Sequence, residues 1–248
     1  MFKRAEGARY KWLIKELHST HLFDWYLEIG CRSGDTFSPS RSKTIAVDPF
    51  FRVEQNAIGQ KPALHVFQAT SDDFFASGFL EKNGIQLTLS FIDGMHLVEY
   101  ALRDLINVER NSAPHGLIML HDLIPFTHEM TSRDLDKLPP GPWTGDVWKL
   151  IPIIRRYRPD LKLTVLDAKP SGVVVLSGLN PKDETLKQNY DAILAEFQEL
   201  TLQDYGVEKF TAQYELTDCR AEEEAGFPLF AGIKLDESQA LKPGFVSK

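Results

Sequence analysis

"LEIGCRSGDTF", residues 27–37, joins an apolar run to a turn that carries two glycines, Gly30 and Gly34. A glycine directly after a strand lets the backbone turn sharply or approach a ligand closely. The next apolar run ends on Asp48, twenty residues after Glu28, and an acidic residue in that place can bind the two hydroxyls of a ribose. Strand, glycine turn and acid together favour a nucleoside site, although the spacing lacks the third glycine of a dinucleotide fingerprint.

Short apolar runs alternate with amphipathic or loop segments along the first half of the chain. This rhythm is typical of βα units on a parallel sheet, and runs that are apolar on both faces suit strands covered by helices on both sides. Five such runs are present: "WYLEIG" (25–30), "TIAVD" (44–48), "LHVFQA" (64–69), "LTLSFID" (87–93) and "GLIMLHD" (116–122).

Three further segments complete the fold prediction. Residues 98–108 have apolar positions at helical spacing, and "TFSPSRSK" (36–43) is the expected crossover helix between the first two strands. "LKLTVLD" (161–167) and "SGVVVLSG" (171–178) lie too close together for a crossover and predict an antiparallel hairpin. We therefore expect an α/β, Rossmann-like, mostly parallel sheet of seven strands with a C-terminal antiparallel hairpin and helices on both faces.

Three regions are predicted along the chain. Residues 1–21 supply a helix that covers the sheet, residues 22–180 form the Rossmann-like domain, and residues 181–248 form a helical and irregular extension. The extension is expected to begin with one helix over residues 181–200 and to be poorly ordered over its last fifteen or so residues. A homo-oligomer formed through this extension is a further expectation.

The composition excludes several kinds of partner. The 28 Lys and Arg are outnumbered by 35 Asp and Glu and are thinly spread, whereas binding to duplex nucleic acid needs concentrated positive charge. The sequence has no apolar stretch near the ~20 residues of a membrane helix and no signal peptide. Its two cysteines, Cys31 and Cys219, make neither a disulfide framework nor a metal motif. We expect a cytoplasmic protein that binds neither nucleic acid nor membrane.

Two of the apolar runs end on a carboxylate with a histidine nearby. Asp93 is followed by His96, and Asp122 is preceded by His121. Oxygen and imidazole ligands suit a divalent metal, and a histidine can also act as a general base. The alternative is structural, because Asp93 with Gly94 makes an ordinary turn. Since neighbouring side chains in a strand point to opposite faces, His121 is expected to turn away from Asp122 unless the strand has already ended.

These residues give the chain a resemblance to the class I S-adenosylmethionine (SAM)-dependent methyltransferases. The likeness rests on "EIGCRSG" (28–34), "VDPF" (47–50), "FIDGMH" (91–96) and the closing hairpin, and it covers roughly residues 22–178. It implies that Glu28, Gly30 and Gly34 line the cofactor and that Asp48 binds its ribose. It also implies that Thr70, Ser71 and Asp72 lie near its adenine.

Within that family, "FIDGMH" and "GLIMLHD" resemble the branch of small-molecule O-methyltransferases that act on sugars, macrolides and catechols. This resemblance implies that Asp93 and Asp122 bind a divalent metal such as Mg, Mn or Fe. His121 occupies a position that is often acidic and is a third ligand or a catalytic residue, and His96 is a base or a further ligand. The implied reaction is methyl transfer from SAM to a hydroxyl of a small-molecule acceptor. Asp93 and Asp122, with or without a metal, are expected to place the acceptor oxygen, and His96 or His121 to take its proton.

Two other functions are compatible with the same residues. One is a metal-dependent hydroxylase or hydrolase built on a methyltransferase-like fold, with the His and Asp side chains at the strand ends as ligands. The other is a nucleoside-binding protein without catalysis. A measurement of SAM binding separates the methyltransferase hypothesis from these two alternatives.

Overall fold

A computed structural model describes residues 1–239 as an eight-stranded sheet with the strand order β3-β2-β1-β4-β5-β7-β6-β8. The strands are β1 (Trp25–Ile29), β2 (Lys43–Val47), β3 (Leu64–Phe67), β4 (Leu87–Ile92), β5 (Ser112–His121), β6 (Lys162–Leu166), β7 (Val173–Ser177) and β8 (Leu216–Thr217). The Rossmann-like sheet is confirmed. Eight strands replace the predicted seven, because the two-residue strand β8 is too short to leave a periodic signal.

The order of the strands places the predicted site. β1 lies between β2 and β4, and these strands and β5 run parallel. The strand order reverses beside β1, and ligands of open α/β sheets bind at such a point, beyond the carboxyl ends of the strands. The predicted hairpin is confirmed, since β7 is antiparallel to both β5 and β6. The end of β6 therefore lies at the same edge as the end of β5.

The predicted crossover helix between β1 and β2 is wrong. Residues 30–42 form successive turns instead of a helix. Pro39 lacks a backbone N–H and disfavours helical geometry at Ser38 before it. The segment is held by the buried ring of Phe37, and Lys61 Nζ donates to the carbonyl of Ser38 at 2.7 Å. Side-chain anchoring thus replaces helical hydrogen bonds in this connection.

Ten α-helices are present among residues 1–239. They are α1 (Tyr10–Thr20), α2 (Ser71–Ala76), α3 (Phe79–Lys82), α4 (Val98–Arg110), α5 (Leu150–Tyr157), α6 (Thr185–Gln188), α7 (Tyr190–Phe197), α8 (Leu202–Tyr205), α9 (Val207–Thr211) and α10 (Cys219–Glu224). The covering helix is confirmed as α1. The single helix predicted over residues 181–200 is two, α6 and α7. No helix in this part of the chain combines the length and apolar character that crossing a membrane would require.

The C-terminal extension packs on the same core as the sheet. Phe197, Leu202 and Phe210 belong to the hydrophobic cluster that also contains the sheet residues Leu27 and Val174. The division into residues 1–21, 22–180 and 181–248 stays a prediction. Of the last fifteen or so residues, 240–248 lie outside the described part of the chain.

The two faces of the sheet are buried against different layers. β7 shows the alternation, because Val174 and Leu176 join one cluster and Val173 and Val175 the other. The second cluster contains apolar residues of α1. His18, on the same helix, is fully buried beside the rings of Phe23 and Tyr26. Within the described residues neither nitrogen of His18 has a hydrogen-bond partner. Burial lowers the pKa of His18 to about 3.

The buried His18 makes folding sensitive to acid. A histidine in the unfolded chain has a pKa of about 6.5. Below that pH the unfolded chain therefore binds a proton at His18 that the folded chain does not bind. From about pH 6.5 to about pH 5 this costs about 2 kcal/mol of stability. We expect His18→Phe to lose less stability than the wild type over this range in urea unfolding at both pH values.

The matched control for this prediction is His115→Phe, at an exposed histidine. It should keep the acid sensitivity of the wild type. Equal losses of stability on acidification in the wild type and in His18→Phe would contradict the assignment of the acid sensitivity to His18.

Candidate active site at the carboxyl edge of the sheet

The glycine turn after β1 rests on the tip of β4. Gly30 has a φ of 88°, and a Cβ added to it would overlap the backbone carbonyl of Asp93. The backbone N–H of Asp93 donates to the carbonyl of Ile29 at 2.9 Å. Gly34 also has a positive φ, of 78°. The two glycines are therefore required by the backbone itself, and the turn lies directly beside Asp93.

Asp48 joins the second strand to the same turn. Its side chain accepts hydrogen bonds from the backbone N–H of Arg32 at 2.8 Å and of Phe50 at 2.6 Å, through different carboxylate oxygens. Each oxygen of a carboxylate can accept more than one hydrogen bond. Asp48 is 8% exposed, so it stabilises the turn and retains acceptor capacity at the carboxyl edge.

Glu28 lies inside the protein and not on its surface. Its carboxyl accepts hydrogen bonds from Tyr26 Oη and Thr36 Oγ1, each at 2.6 Å, and the residue is fully buried. Burial raises the pKa of Glu28 to about 8 despite these hydrogen bonds. Its predicted contact with a cofactor stays a prediction, and the observed partners give it a role in holding β1 and the following turn together.

The three residues predicted near an adenine lie at the start of α2, and two of them contact α4. Thr70 caps α2 by accepting from the N–H of Asp73 at 3.1 Å. Asp72 makes two hydrogen bonds to Arg103, at 2.9 and 2.7 Å. Ser71 hydrogen-bonds the buried carboxyl of Asp104 and, after burial, limits the rise in the pKa of that carboxyl, which reaches about 7. Their role in binding adenine stays a prediction.

Asp93, His96 and Asp122 form a cluster that could hold a metal ion. Ligand atoms from these three side chains all lie within 4.8 Å of one another. His96 Nε2 is 3.5 Å from Asp93 Oδ1, and His96 Nδ1 is 3.3 Å from Asp122 Oδ2. Two carboxylates and an imidazole are ligands that suit Mg, Mn or Fe. This group contains His96, which was expected to be a base or a further ligand, and does not include His121. The predicted metal ligands Asp93, Asp122 and His121 stay a prediction.

His121 faces Asp122, contrary to the sequence-based expectation. Its Nδ1 is 3.1 Å from Asp93 Oδ1 and 3.3 Å from Asp122 Oδ1. The strand ends at His121, and Asp122 has a left-handed backbone with a φ of 66°, which breaks the alternation of a strand. The hydroxyl of Ser171 donates a short hydrogen bond to Asp122 Oδ1 and fixes this side chain. His121 therefore contacts the carboxylates of both Asp93 and Asp122 from the buried side of the cluster, since its side chain is only 4% exposed.

His96 is oriented by the loop that follows β5, residues 122–146. Its Nδ1 donates to the carbonyl of Trp143 at 3.1 Å, and the Trp143 ring stacks on the imidazole with centroids 5.0 Å apart. Because a carbonyl only accepts, this contact places the proton on Nδ1 and directs Nε2 to the cluster. Histidine ligands of metals are commonly held in this way.

A partly buried ion-pair network centred on Asp146 holds the loop in place. Asp146 accepts from the N–H of Val98 at 2.8 Å, and its own N–H donates to the carbonyl of His96 at 3.1 Å. Arg133 pairs with Asp146 at 2.6 Å and with Glu99 at 2.8 Å. The loop is thus hydrogen-bonded to the backbone at His96 and Val98, where the turn between β4 and α4 enters the helix.

The cluster balances charge internally. Burial opposes the charge of Asp93, but His121 and His96 hold the pKa of that carboxyl well below its usual range. Burial also opposes charge on the two histidines, yet Asp122 and Asp93 raise the pKa of His121 to about 10 and raise that of His96. A divalent cation at the same place would supply the positive charge that the histidine protons now supply.

Two residues of this site carry no clear signal in the sequence. Tyr10, on the covering helix, lies over His121 with ring centroids 3.9 Å apart. Ser171 reaches Asp122 from the β6–β7 hairpin. Neither belongs to a recognisable motif, and both depend on segments far apart in the chain.

Comparison with known proteins agrees with this geometry. Residues 27–123 match a family described as a methyltransferase domain. This match spans β1 to the end of β5 and contains the glycine turn and the whole carboxylate cluster. A comparison with curated proteins found no match.

A solved structure shares the architecture, and two further solved structures are more weakly similar. Cofactor-bound Rv0187 from MTB is 15% identical over 71% of this chain and 85% of that one, with a TM-score of 0.51. The O-methyltransferase TomG from Streptomyces achromogenes, in complex with SAM, is 14% identical over 68% and 79%, with a TM-score of 0.49. MycE methyltransferase, in complex with Mg, SAH and mycinamycin VI, is 12% identical over 70% and 49%, with a TM-score of 0.44.

The strand order defines a Rossmann-like fold. Within it, residues 27–123 are similar to a methyltransferase domain.

The loop after β5 depends on a glycine beside His96. Gly145 has a φ of 54°, and a Cβ there would overlap the carbonyl of His96. We expect Gly145→Ala to lower stability by about 1–3 kcal/mol through backbone strain alone, and to displace His96 from the cluster. Thermal unfolding, with the histidine resonances followed by NMR, measures both effects.

Gly141→Ala is the matched control, because a Cβ at Gly141 meets nothing within 4 Å. It should leave stability and the His96 resonances unchanged. If Gly145→Ala has the same stability and the same His96 resonances as this control, position 145 does not require glycine.

Proposed function

We propose that this protein is a SAM-dependent methyltransferase that acts on a hydroxyl of a small molecule, assisted by a divalent cation at Asp93, His96 and Asp122. One observation carries the proposal: the glycine turn after β1 packs on the backbone of Asp93. A nucleoside beside that turn and an acceptor at the carboxylate cluster would therefore be neighbours. The match of residues 27–123 to a methyltransferase domain supports the same reaction class.

The residues beside the turn fit SAM. Gly30 leaves the turn without a side chain, and the Asp48 carboxylate stands at the end of β2 with acceptor capacity for ribose hydroxyls. The glycine turn and Asp48 are linked through the N–H of Arg32, so one bound nucleoside could contact both.

The carboxylate cluster fits a divalent cation. Its three ligands come from three places, the β4 tip, the β4–α4 turn just before α4, and the β5 tip, and each is fixed by a separate hydrogen bond. His121 holds Asp93, Trp143 holds His96 and Ser171 holds Asp122. Ligands that are pre-oriented in this way lose little freedom when an ion binds.

SAM would supply the methyl group, and a divalent cation would lower the pKa of the acceptor hydroxyl. The chain's own residues hold and orient the acceptor. Asp93 and Asp122 present oxygens on one side of it. His121 Nδ1 lies within 3.3 Å of both carboxylates, and once a cation had replaced its proton this ring could take up the hydroxyl proton. Tyr10 covers His121 and limits the access of water. Most of the rate would come from this positioning.

The location and assembly of the protein stay predictions. We expect it in the cytoplasm, and we expect the C-terminal extension to be the part that a second copy would contact.

SAM binding is the first test of the proposal. We expect calorimetry to detect SAM binding to the full chain, and Asp48→Asn to weaken it about tenfold, the loss of one charge-assisted hydrogen bond. Asp24→Asn, at the opposite edge of the sheet, is the control and should bind as the wild type does. Absence of SAM binding would reject a methyltransferase. Metal binding without SAM binding would favour the hydroxylase or hydrolase alternative.

Metal binding is the second test. We expect titration with Mn²⁺ or Mg²⁺ to show one site, and Asp93→Asn and Asp122→Asn each to weaken it about tenfold or more through loss of a charged ligand. Asp136→Asn, an exposed carboxylate in the nearby loop, is the control. Unchanged metal affinity in both site variants would show that the ligands are wrong.

A further inference from the structure

A cavity of about 840 Å³ opens beside the carboxylate cluster. Its walls come from the segment before α1, the start of α1, the loop after β5 and the β6–β7 hairpin. The lining residues are Arg4, Ala5, Glu6, Arg9, Tyr10, Lys11, Phe126, Lys169 and Pro170. The segment from residue 4 to 11 thus forms one side of the cavity.

The lining is strongly cationic. It carries four positive side chains and one negative side chain, although the chain as a whole has a net charge of −7. Lys11 is paired with Asp35 at 2.7 Å. For Arg4, Arg9 and Lys169, no carboxylate among residues 1–239 lies within ion-pair distance. Such a concentration of unpaired positive charge favours an anion.

The cavity is joined to the proposed reaction centre through shared residues. Tyr10 lines the cavity and its ring lies on His121, with centroids 3.9 Å apart. Pro170 lines the cavity and precedes Ser171, whose hydroxyl binds Asp122. Phe126 lies four residues after Asp122 and carries the guanidinium of Arg4 over its ring at 5.1 Å. A molecule in the cavity would therefore reach the cluster past Tyr10.

We propose that this cavity binds a carboxylate or phosphate group of the methyl acceptor. The proposal rests on the methyltransferase function and specifies its substrate class: a small molecule whose reacting hydroxyl lies at Asp93 and Asp122 and whose anionic group lies among Arg4, Arg9 and Lys169. Guanidinium groups can pair with either anion through two hydrogen bonds. Tyr10 and Phe126 supply apolar surface for the part in between.

The test compares small anions with a neutral analogue. Benzoate, phenyl phosphate and benzamide are titrated separately into the full chain by calorimetry at low and high salt. We expect both anions to bind, benzamide to bind at least about tenfold more weakly, and the anion affinity to fall with salt. The double variant Arg9→Gln/Lys169→Gln should weaken anion binding about tenfold or more.

Lys15→Gln is the matched control, since Lys15 is exposed on α1 and does not line the cavity. It should bind the anions as the wild type does, and circular dichroism checks the fold of each variant. Whichever of benzoate and phenyl phosphate binds with the higher affinity identifies the preferred anionic group. Equal binding of benzamide, no binding of either anion, or an unchanged affinity in the double variant would overturn the proposal.

A parallel SAM titration separates the two proposals. SAM binding without anion binding would overturn the cavity proposal alone. Anion binding without SAM binding would instead overturn the methyltransferase function, while the cavity would stand as an anion site.

Discussion

The contact between Gly30 and the carbonyl of Asp93 is the constraint on which the rest of the site depends. No side chain fits at position 30, because its Cβ would overlap that carbonyl, and the φ of 88° favours glycine in any case. The contact brings the tips of β1 and β4 together at the point where the strand order reverses. It fixes the distance between the turn that suits a nucleoside and the carboxylate that suits a metal.

The cluster itself arises from breaks in regular structure. Asp122 leaves the strand in a left-handed conformation, which turns its carboxylate towards Asp93 and allows His121 to contact both. Gly145 approaches the carbonyl of His96 as closely as Gly30 approaches that of Asp93. Strained or glycine-dependent backbone commonly occurs where a protein must place functional groups. Here it aligns ligands from separate loops.

Positive and negative charges balance within the carboxylate cluster but not in the cavity beside it. The two carboxylates and two histidines balance one another, and the Arg133–Asp146 pair that secures the neighbouring loop is also internally paired. Buried pairs of this kind contribute less to stability than to a defined geometry. The cavity beside Tyr10 is the exception, because most of its positive side chains lack a carboxylate partner among residues 1–239. That imbalance is the basis for expecting an anionic acceptor.

The sequence by itself determined the sheet, its glycine turn and the two acidic strand ends, because hydrophobic period and turn residues are local signals. It overestimated helix in residues 36–43, where Pro39 and the buried Phe37 dominate. It also misjudged His121, since strand alternation could not reveal the left-handed Asp122. Only the tertiary structure decided that Trp143 orients His96, that Ser171 holds Asp122 and that Tyr10 joins a cationic cavity to the cluster. These contacts join residues far apart in the chain, and no local pattern encodes them.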